Sequence, residues 1–410
     1  MQQQASTDQK PFQGPLVGFR VIDLGTMFAG PFAASLMADF GADVIKVEIP
    51  KIGDSHRGMP PVIKGVPGPW TVLARNKRSI SLDIRTEKGK ELLKRLVSTA
   101  DVVVENFRPG TLEKWDLGYD VLKQVNPKLI MVRISGYGQT GPYSHKAGFG
   151  TPATAFAGFT YMQGYPDRPP ISPPLALADY VTGIFGALGA LMGLLHLKAN
   201  DCPEGQQIDI ALYESLFRLL ESMVIDYSLT GRIQERAGHI MQGAAPAGAF
   251  QCKDGKWVVM VTSTQRTFAR LAEVMGKSEL LSDPRFDTGP HRSEHRQEIT
   301  DIVQEWFLTR TSAEATAILD ENGIPVSPIH SIADIFEDPQ YKARENLVKV
   351  EHPILGTVTM PGIIPKFSAT PGAIRWPGPA TVGQHNREIF EGELGCSPEE
   401  LQALEAEGVI

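Results

Sequence analysis

The apolar positions of this chain fall first into short, unbroken runs separated by longer stretches of helical period. Phe19–Gly25 (FRVIDLG), Asp43–Glu48 (DVIKVE), Ser79–Ile84, Asp101–Phe107 (DVVVENF) and Leu129–Ser135 are such runs. Apolar on both alternating sets of positions, they fit strands buried on two faces. Between them the pattern predicts a helix opening at Pro31, a favoured first helical position, and ending near Gly41. An amphipathic helix follows over Thr86–Ala100, then a partly helical stretch over Thr111–Val125. Strands separated by helices imply an α/β fold with a mostly parallel sheet covered on both faces.

Pro-rich Asp167–Pro174 interrupts that rhythm. Val181–Leu197 (VTGIFGALGALMGLLHL) is near the lower length limit for a membrane span. Its glycines at 183, 186, 189 and 193 make a smooth stripe, so it reads as a buried helix packed closely on another element. Gln207–Tyr213 predicts a strand, followed by a helix from Glu214 to about Leu229. A second, smaller α+β domain then begins with a hairpin, Ala249–Cys252 and Lys256–Thr262, around a Lys-Asp-Gly turn. Helices are expected over Thr264–Met275, Gln297–Leu308 and Ser312–Glu321, the last capped by Gly323. A further hairpin over Val348–Met360 and a helix near Pro398–Glu407 complete the pattern.

Length and composition set bounds. The 410 residues suit two or three domains, and 42% hydrophobic with 21% charged residues is ordinary for a globular chain. A net charge of −7 argues against a nucleic-acid surface, which needs a basic stripe. The three cysteines, Cys202, Cys252 and Cys396, have neither metal-site nor disulfide-framework spacing, so a reducing cytoplasm is expected and no metal is implied. Met1–Gln9 is polar, lacks the apolar core of a signal peptide, and reads as a frayed tail.

Four segments could carry chemistry. The loop Gly25–Gly30 joins a strand to a helix and would aim backbone N–H groups at an anion. It lacks the GxGxxG of dinucleotide sites, and Glu48 alone is a weak substitute for their ribose-binding acid. The cations Arg75, Lys77, Arg78, Arg85, Arg108 and Lys114 are either a solvated face or an anion-binding group. Asn106-Phe107-Arg108 directly follows a strand, where open α/β sheets place their ligand crevice; a ring and cations there suit adenine stacking and phosphate pairing. Asp179 could be a helix N-cap, a general base or a nucleophile; a helix N-terminus would stabilise its carboxylate and favour the nucleophile. Gln242–Gly248 is built of small residues and is either a mobile lid or an ordinary loop.

Taken in order, GPLVGFRVIDLGTMFAGPFAASLMADFGADVIKVE, RNKRSISLDIR, DVVVENFRPG, SGYGQTGP, ALADYVTG and GQHNREI resemble the class III CoA-transferase family over nearly the whole chain. That group includes formyl-CoA transferase, carnitine CoA-transferase and the α-methylacyl-CoA racemases. The resemblance implies that Asp179 is the catalytic nucleophile. It would form a mixed aspartyl anhydride with the acyl group and then an aspartyl-CoA thioester. No cofactor is implied, since the coenzyme A thioester is a substrate. Phe28, Ala29, Leu82, Arg85, Asn106, Phe107, Arg108 and Lys114 match the family's CoA contacts. Ile49 stands where some members carry an arginine, and the glycine-run lid of formyl-CoA transferase is not reproduced.

The family fold implies a Rossmann-like large domain and an interlocked homodimer. The expected boundaries are 12–202 and 351–410 for the large domain, 230–331 for the small one, and 203–229 and 332–350 for linkers. The partners implied are an acyl-CoA and a small carboxylic acid, with succinyl-CoA as donor and malate or citramalate as acceptor. Nucleic acid and membrane are not expected partners. Two alternatives stand beside this: a racemase, which needs a histidine where this chain has Phe149, and a non-catalytic CoA-binding partner subunit.

Overall fold

The computed structural model describes residues 12–241 and 243–410, so the Met1–Gln9 tail and Gln242 lie outside the described residues. The chain forms two compact units. The first holds described residues 12–159, 173–224 and 343–410; the second holds 160–172 and 225–342.

The first unit is built on a six-stranded sheet: β1 Arg20–Asp23, β2 Asp43–Glu48, β3 Lys77–Ser81, β4 Val102–Glu105, β5 Ile130–Ser135 and β6 Gln207–Ala211. Every pairing is parallel and the spatial order is β3-β2-β1-β4-β5-β6. That order reverses direction between β1 and β4, and ligands of open α/β sheets bind beyond the strand ends at such a point. The sixth strand lies inside the stretch expected as a first linker, and 160–172 groups with the second unit.

Both faces of the sheet are covered, as the solid apolar runs required. On one face α1 (Ala29–Asp39) and α3 (Leu177–Ala199) pack over Val21, Val44, Val104 and Val132. On the other, α2 (Glu87–Val97) and the C-terminal helix Pro398–Ala406 enclose Ile22, Ile45, Val103 and Met131. α1 opens two residues earlier than expected, at Ala29. Pro31 is tolerated because the first-turn N–H groups have no partner within the helix.

The expectation of a fully buried α3 needs correction. Gly183, Gly186 and Gly193 are buried; a Cβ at Gly183 would meet the Ala29 carbonyl oxygen at 2.9 Å. Ile184, Leu188, Leu191, Met192 and Leu195 are exposed in the single chain. The helix is apolar all round, but only its small-residue stripe faces the sheet layer. By length and composition alone it could cross a membrane.

The open edge of β3 is covered by the tail. Ser79 N–H donates to His385 Nδ1 at 3.0 Å and Ser81 N–H to Asn386 Oδ1 at 2.9 Å. The GQHN segment therefore acts as a side-chain edge cover, satisfying donors that would otherwise invite another strand.

The second unit contains an antiparallel three-stranded sheet: β7 Ala247–Gln251, β8 Trp257–Val261 and β9 Val326–Pro328, with β8 central. Helices Gln265–Val274, Arg296–Leu308 and Ser312–Glu321 supply its core with Leu271, Val303, Phe307 and Leu319. The small-residue segment is not free along its length. Ala245 and Ala247 are buried; the Ala245 carbonyl accepts from the buried Arg292 at 2.9 Å, and the Pro246 carbonyl from Thr262 Oγ1 at 2.8 Å.

Candidate active site

Asp179 is the third residue of α3, and Ala176 occupies the N-cap, so the N-cap reading of Asp179 falls. Its side chain lines a cavity of about 310 Å³ beyond the carboxyl ends of β1, β4 and β5. The loop Thr26–Ala29 forms part of its wall; Asn106, Arg108, Ser135 and Phe149 complete much of the rest. Gly150 is pressed against the acid: a Cβ there would stand 1.8 Å from Asp179 Oδ2. Gly136 and Gly148 are in backbone contact beside it, since a Cβ on Gly136 would meet the Gly148 Cα at 2.5 Å. Small residues let main chain form the cavity wall.

Burial pushes the Asp179 carboxyl up to about 6, against a smaller lowering from a hydrogen bond with its own backbone N–H. A helix N-terminus alone would hold it low. Desolvation wins, because taking a carboxylate from water costs more than a partial dipole returns. At pH 7 the group is still ionised by about ten to one.

A second cavity of about 160 Å³ shares Thr26 with the first and is lined by Ile49, Leu82, Arg85, Phe107 and Trp115. Phe107 and Trp115 meet edge to face at 5.6 Å. The apolar slot with Arg85 at its mouth suits a flat heteroaromatic ring carrying phosphates. The predicted residues thus divide between two adjoining spaces. Phe28, Ala29, Asn106 and Arg108 share the first with Asp179; Leu82, Arg85 and Phe107 share the second. Lys114 ends the short helix Thr111–Lys114 and lines neither.

The cations expected as one basic group separate in the same way. Arg75 is paired with Asp39 at 2.5 Å, Lys77 with Asp23 at 2.8 Å, and Arg78 with Asp43 at 2.6 Å. Arg75 and Arg78 stand at the amino end of β3, away from the crevice. Glu48 is taken up by Arg57 at 2.6 Å. Arg85 pairs with its neighbour Asp83 at 2.7 Å in the open, where water screens the pair and a phosphate can compete. Among the described residues Arg108 makes no ion pair.

Sequence reasoning missed the support behind the loop. Asn106 clamps Thr26 twice: Thr26 N–H donates to Oδ1 at 2.7 Å, and Nδ2 donates to the Thr26 carbonyl at 2.8 Å. Asp54 Oδ1 accepts the Met27 N–H at 3.0 Å, and His56 meets the Phe28 ring at 4.8 Å. The available signal was the Gly-Asp-Ser-His turn just after β2, polar residues at the carboxyl end of a strand. Among the described residues no group of three or more His, Cys, Asp or Glu could hold a metal ion.

An all-parallel sheet with a two-part crevice at its switch point, holding Asp179 in one part and Arg85 in the other, is a Rossmann-type α/β architecture. A sequence model of CoA-transferase family III matches residues 16–386, and this chain belongs to that family. It is 45% identical over 402 residues to succinyl-CoA–D-citramalate CoA-transferase of Chloroflexus aurantiacus, covering 97% of this chain and 98% of the relative. It is 43% identical over 400 residues to the succinyl-CoA–L-malate CoA-transferase beta subunit of the same organism, covering 97% and 98%. A crystal structure of a CAIB/BAIF family protein from Brucella suis superposes with a TM-score of 0.81 at 33% identity, covering 93% of this chain and 99% of that one. The chain is a CoA transferase.

Proposed function

We propose that the enzyme moves CoA from succinyl-CoA to a small hydroxy- or dicarboxylic acid such as citramalate or malate, through covalent intermediates on Asp179. The carboxylate attacks the thioester carbonyl and expels CoA thiolate, leaving a mixed anhydride. The thiolate attacks the aspartyl carbonyl, giving an aspartyl-CoA thioester and free succinate. The acceptor carboxylate reverses both steps and leaves as its CoA ester. Exchanging one thioester for another changes free energy little, so catalysis needs proximity, stabilisation of the oxyanions and dryness.

The observation that carries this reading is Asp179 facing a cavity that adjoins an apolar, Arg85-mouthed slot. A raised pKa strengthens a carboxylate as a nucleophile while leaving it ionised at pH 7. It also suits a proton shuttle. A racemase would need a second proton carrier, however, and the facing Phe149 has none. The donor and acceptors follow the names of the relatives. CoA is substrate here, and no separate cofactor enters. The exposed apolar face of α3 supports a homodimer, interlocked as in the family resemblance, and the cytoplasm is the proposed location.

The test is a panel of acyl-CoA donors and acids incubated with the purified single chain, read by mass spectrometry of new CoA esters. Borohydride should trap the donor-treated enzyme in the peptide holding Asp179. Protein that turns over donor yet never carries that label refutes the covalent route. Inactivity of the chain alone, with activity restored by a homologous subunit, would favour a partner role.

A further inference from the structure

The loop that lines the Asp179 cavity is held in an unfavourable conformation by a buried charge it does not contain. Met27 has φ 64°, the left-handed region that costs a side-chain-bearing residue about 1 kcal/mol or more. The compensation comes from Asp54, 3% exposed, whose Oδ1 accepts the Met27 N–H at 3.0 Å and the His56 N–H at 2.8 Å. Its Oδ2 lies 3.1 Å from Lys46 Nζ, and its own N–H donates to Glu48 Oε2 at 2.9 Å. Lys46 in turn donates to the Gly25 carbonyl at the loop's start. The buried carboxylate thus grips the loop at Met27 directly and at Gly25 through Lys46, while Asn106 grips Thr26 from the other side.

We propose that Asp54 is a positioning residue for the transfer reaction: it locks Met27 in its left-handed turn and so fixes the Phe28–Ala29 wall of the Asp179 cavity. This rests on the functional reading above and deepens it. Asp54 does not line the Asp179 cavity, so it reaches that wall through the loop, though it also lines the adjoining slot. The wall it fixes belongs to the Asp179 cavity, while Thr26, Lys46, Glu48 and Asp54 itself also line the slot holding Leu82 and Phe107. Losing the lock should harm turnover through the Asp179 wall, and any direct loss at the slot appears separately in the affinity for CoA.

The experiment compares Asp54→Ala and Asp54→Asn with the wild type in the full-length protein. Amide hydrogen exchange is followed in the peptide spanning Gly25–Gly30, with Ile130–Ser135 as an internal reference. In Asp54→Ala the loop peptide should exchange at least tenfold faster while the reference is unchanged. Turnover should fall at least thirtyfold, and by a larger factor than the Kd for free CoA rises. Asp54→Asn keeps an oxygen for Met27 and should recover part of both losses. Met27→Gly, which removes the need for the lock, should restore turnover in the Asp54→Ala background. Unchanged loop exchange in Asp54→Ala, or Asn no better than Ala, overturns the proposal. Should Asp54→Ala not fold, Asp54→Asn paired with Met27→Gly carries the same comparison. Should the wild type transfer no CoA, the functional reading fails, and loop exchange still decides whether Asp54 is the lock.

Discussion

Replacing Asp179 with asparagine should stabilise the protein at neutral pH while removing its activity. The folded carboxyl titrates near 6 against an ordinary value of 3.8, because burial disfavours its charged form. Between those two values the native state holds a proton that the unfolded chain has released, so native stability falls as pH rises through that window. Below about 4 there is no cost; above about 6 the cost is complete. A gap of about two between the folded and unfolded pKa corresponds to roughly 3 kcal/mol. The amide of Asp179→Asn does not titrate, so the stability gap between variant and wild type should open between pH 4 and 6 and stay flat to pH 8. For the first unit this means that the variant's Tm advantage over the wild type is about 5 °C larger at pH 8 than at pH 4. Taking the gap between the two proteins at each pH cancels the titration of every other group. Urea unfolding midpoints at pH 4.5, 5.5, 6.5 and 8 measure it. A gap that is constant across that range, or that narrows as pH rises, refutes the claim that the acid is held at a desolvation cost.

Further outcomes follow from the same geometry. kcat/KM for the acyl-CoA donor should fall about tenfold per pH unit below pH 6, since only the ionised Asp179 can attack; a flat profile from pH 5 to 7 contradicts that role. Gly150→Ala should cut turnover at least 100-fold in a folded protein, because its methyl group would occupy the space of Asp179 Oδ2; circular dichroism with steady-state kinetics checks it, and near-normal rates count against the placement of the acid. Phe107→Ala should weaken CoA binding by about 1–2 kcal/mol, raising KM for the donor roughly 5–30-fold with kcat little changed. Calorimetric titration with CoA measures the binding loss.

How much of this was legible along the chain can be traced residue by residue. The solid apolar runs marked five parallel strands, and DVIKVE matched β2 at both ends. A strand buried on both faces has little choice but to be apolar, so its pattern survives without knowledge of its neighbours. The ordered family words located Asp179 and the loop Gly25–Gly30, because local turn and helix-start chemistry is written in adjacent residues. What could not be read were the pairings made over long separations. Thr26 finds Asn106 across 80 positions, and Arg75 finds Asp39 across 36. Six cations looked equivalent in sequence, yet three are spent on structural acids, and of the six Arg85 and Arg108 are the two that line the crevice.

Sequence alone therefore determined the fold class and family and singled out Asp179, since apolar pattern, turn residues and the order of the motifs are properties of neighbours in the chain. Tertiary structure decided the rest: the direction in which the Asp179 pKa moves, the release of Arg85 and Arg108 to the crevice, the exposed side of α3, and the lock on Met27. Each depends on desolvation or on a partner brought close only by the parallel crossovers, and electrostatic energy is set by distance in space rather than by distance along the chain.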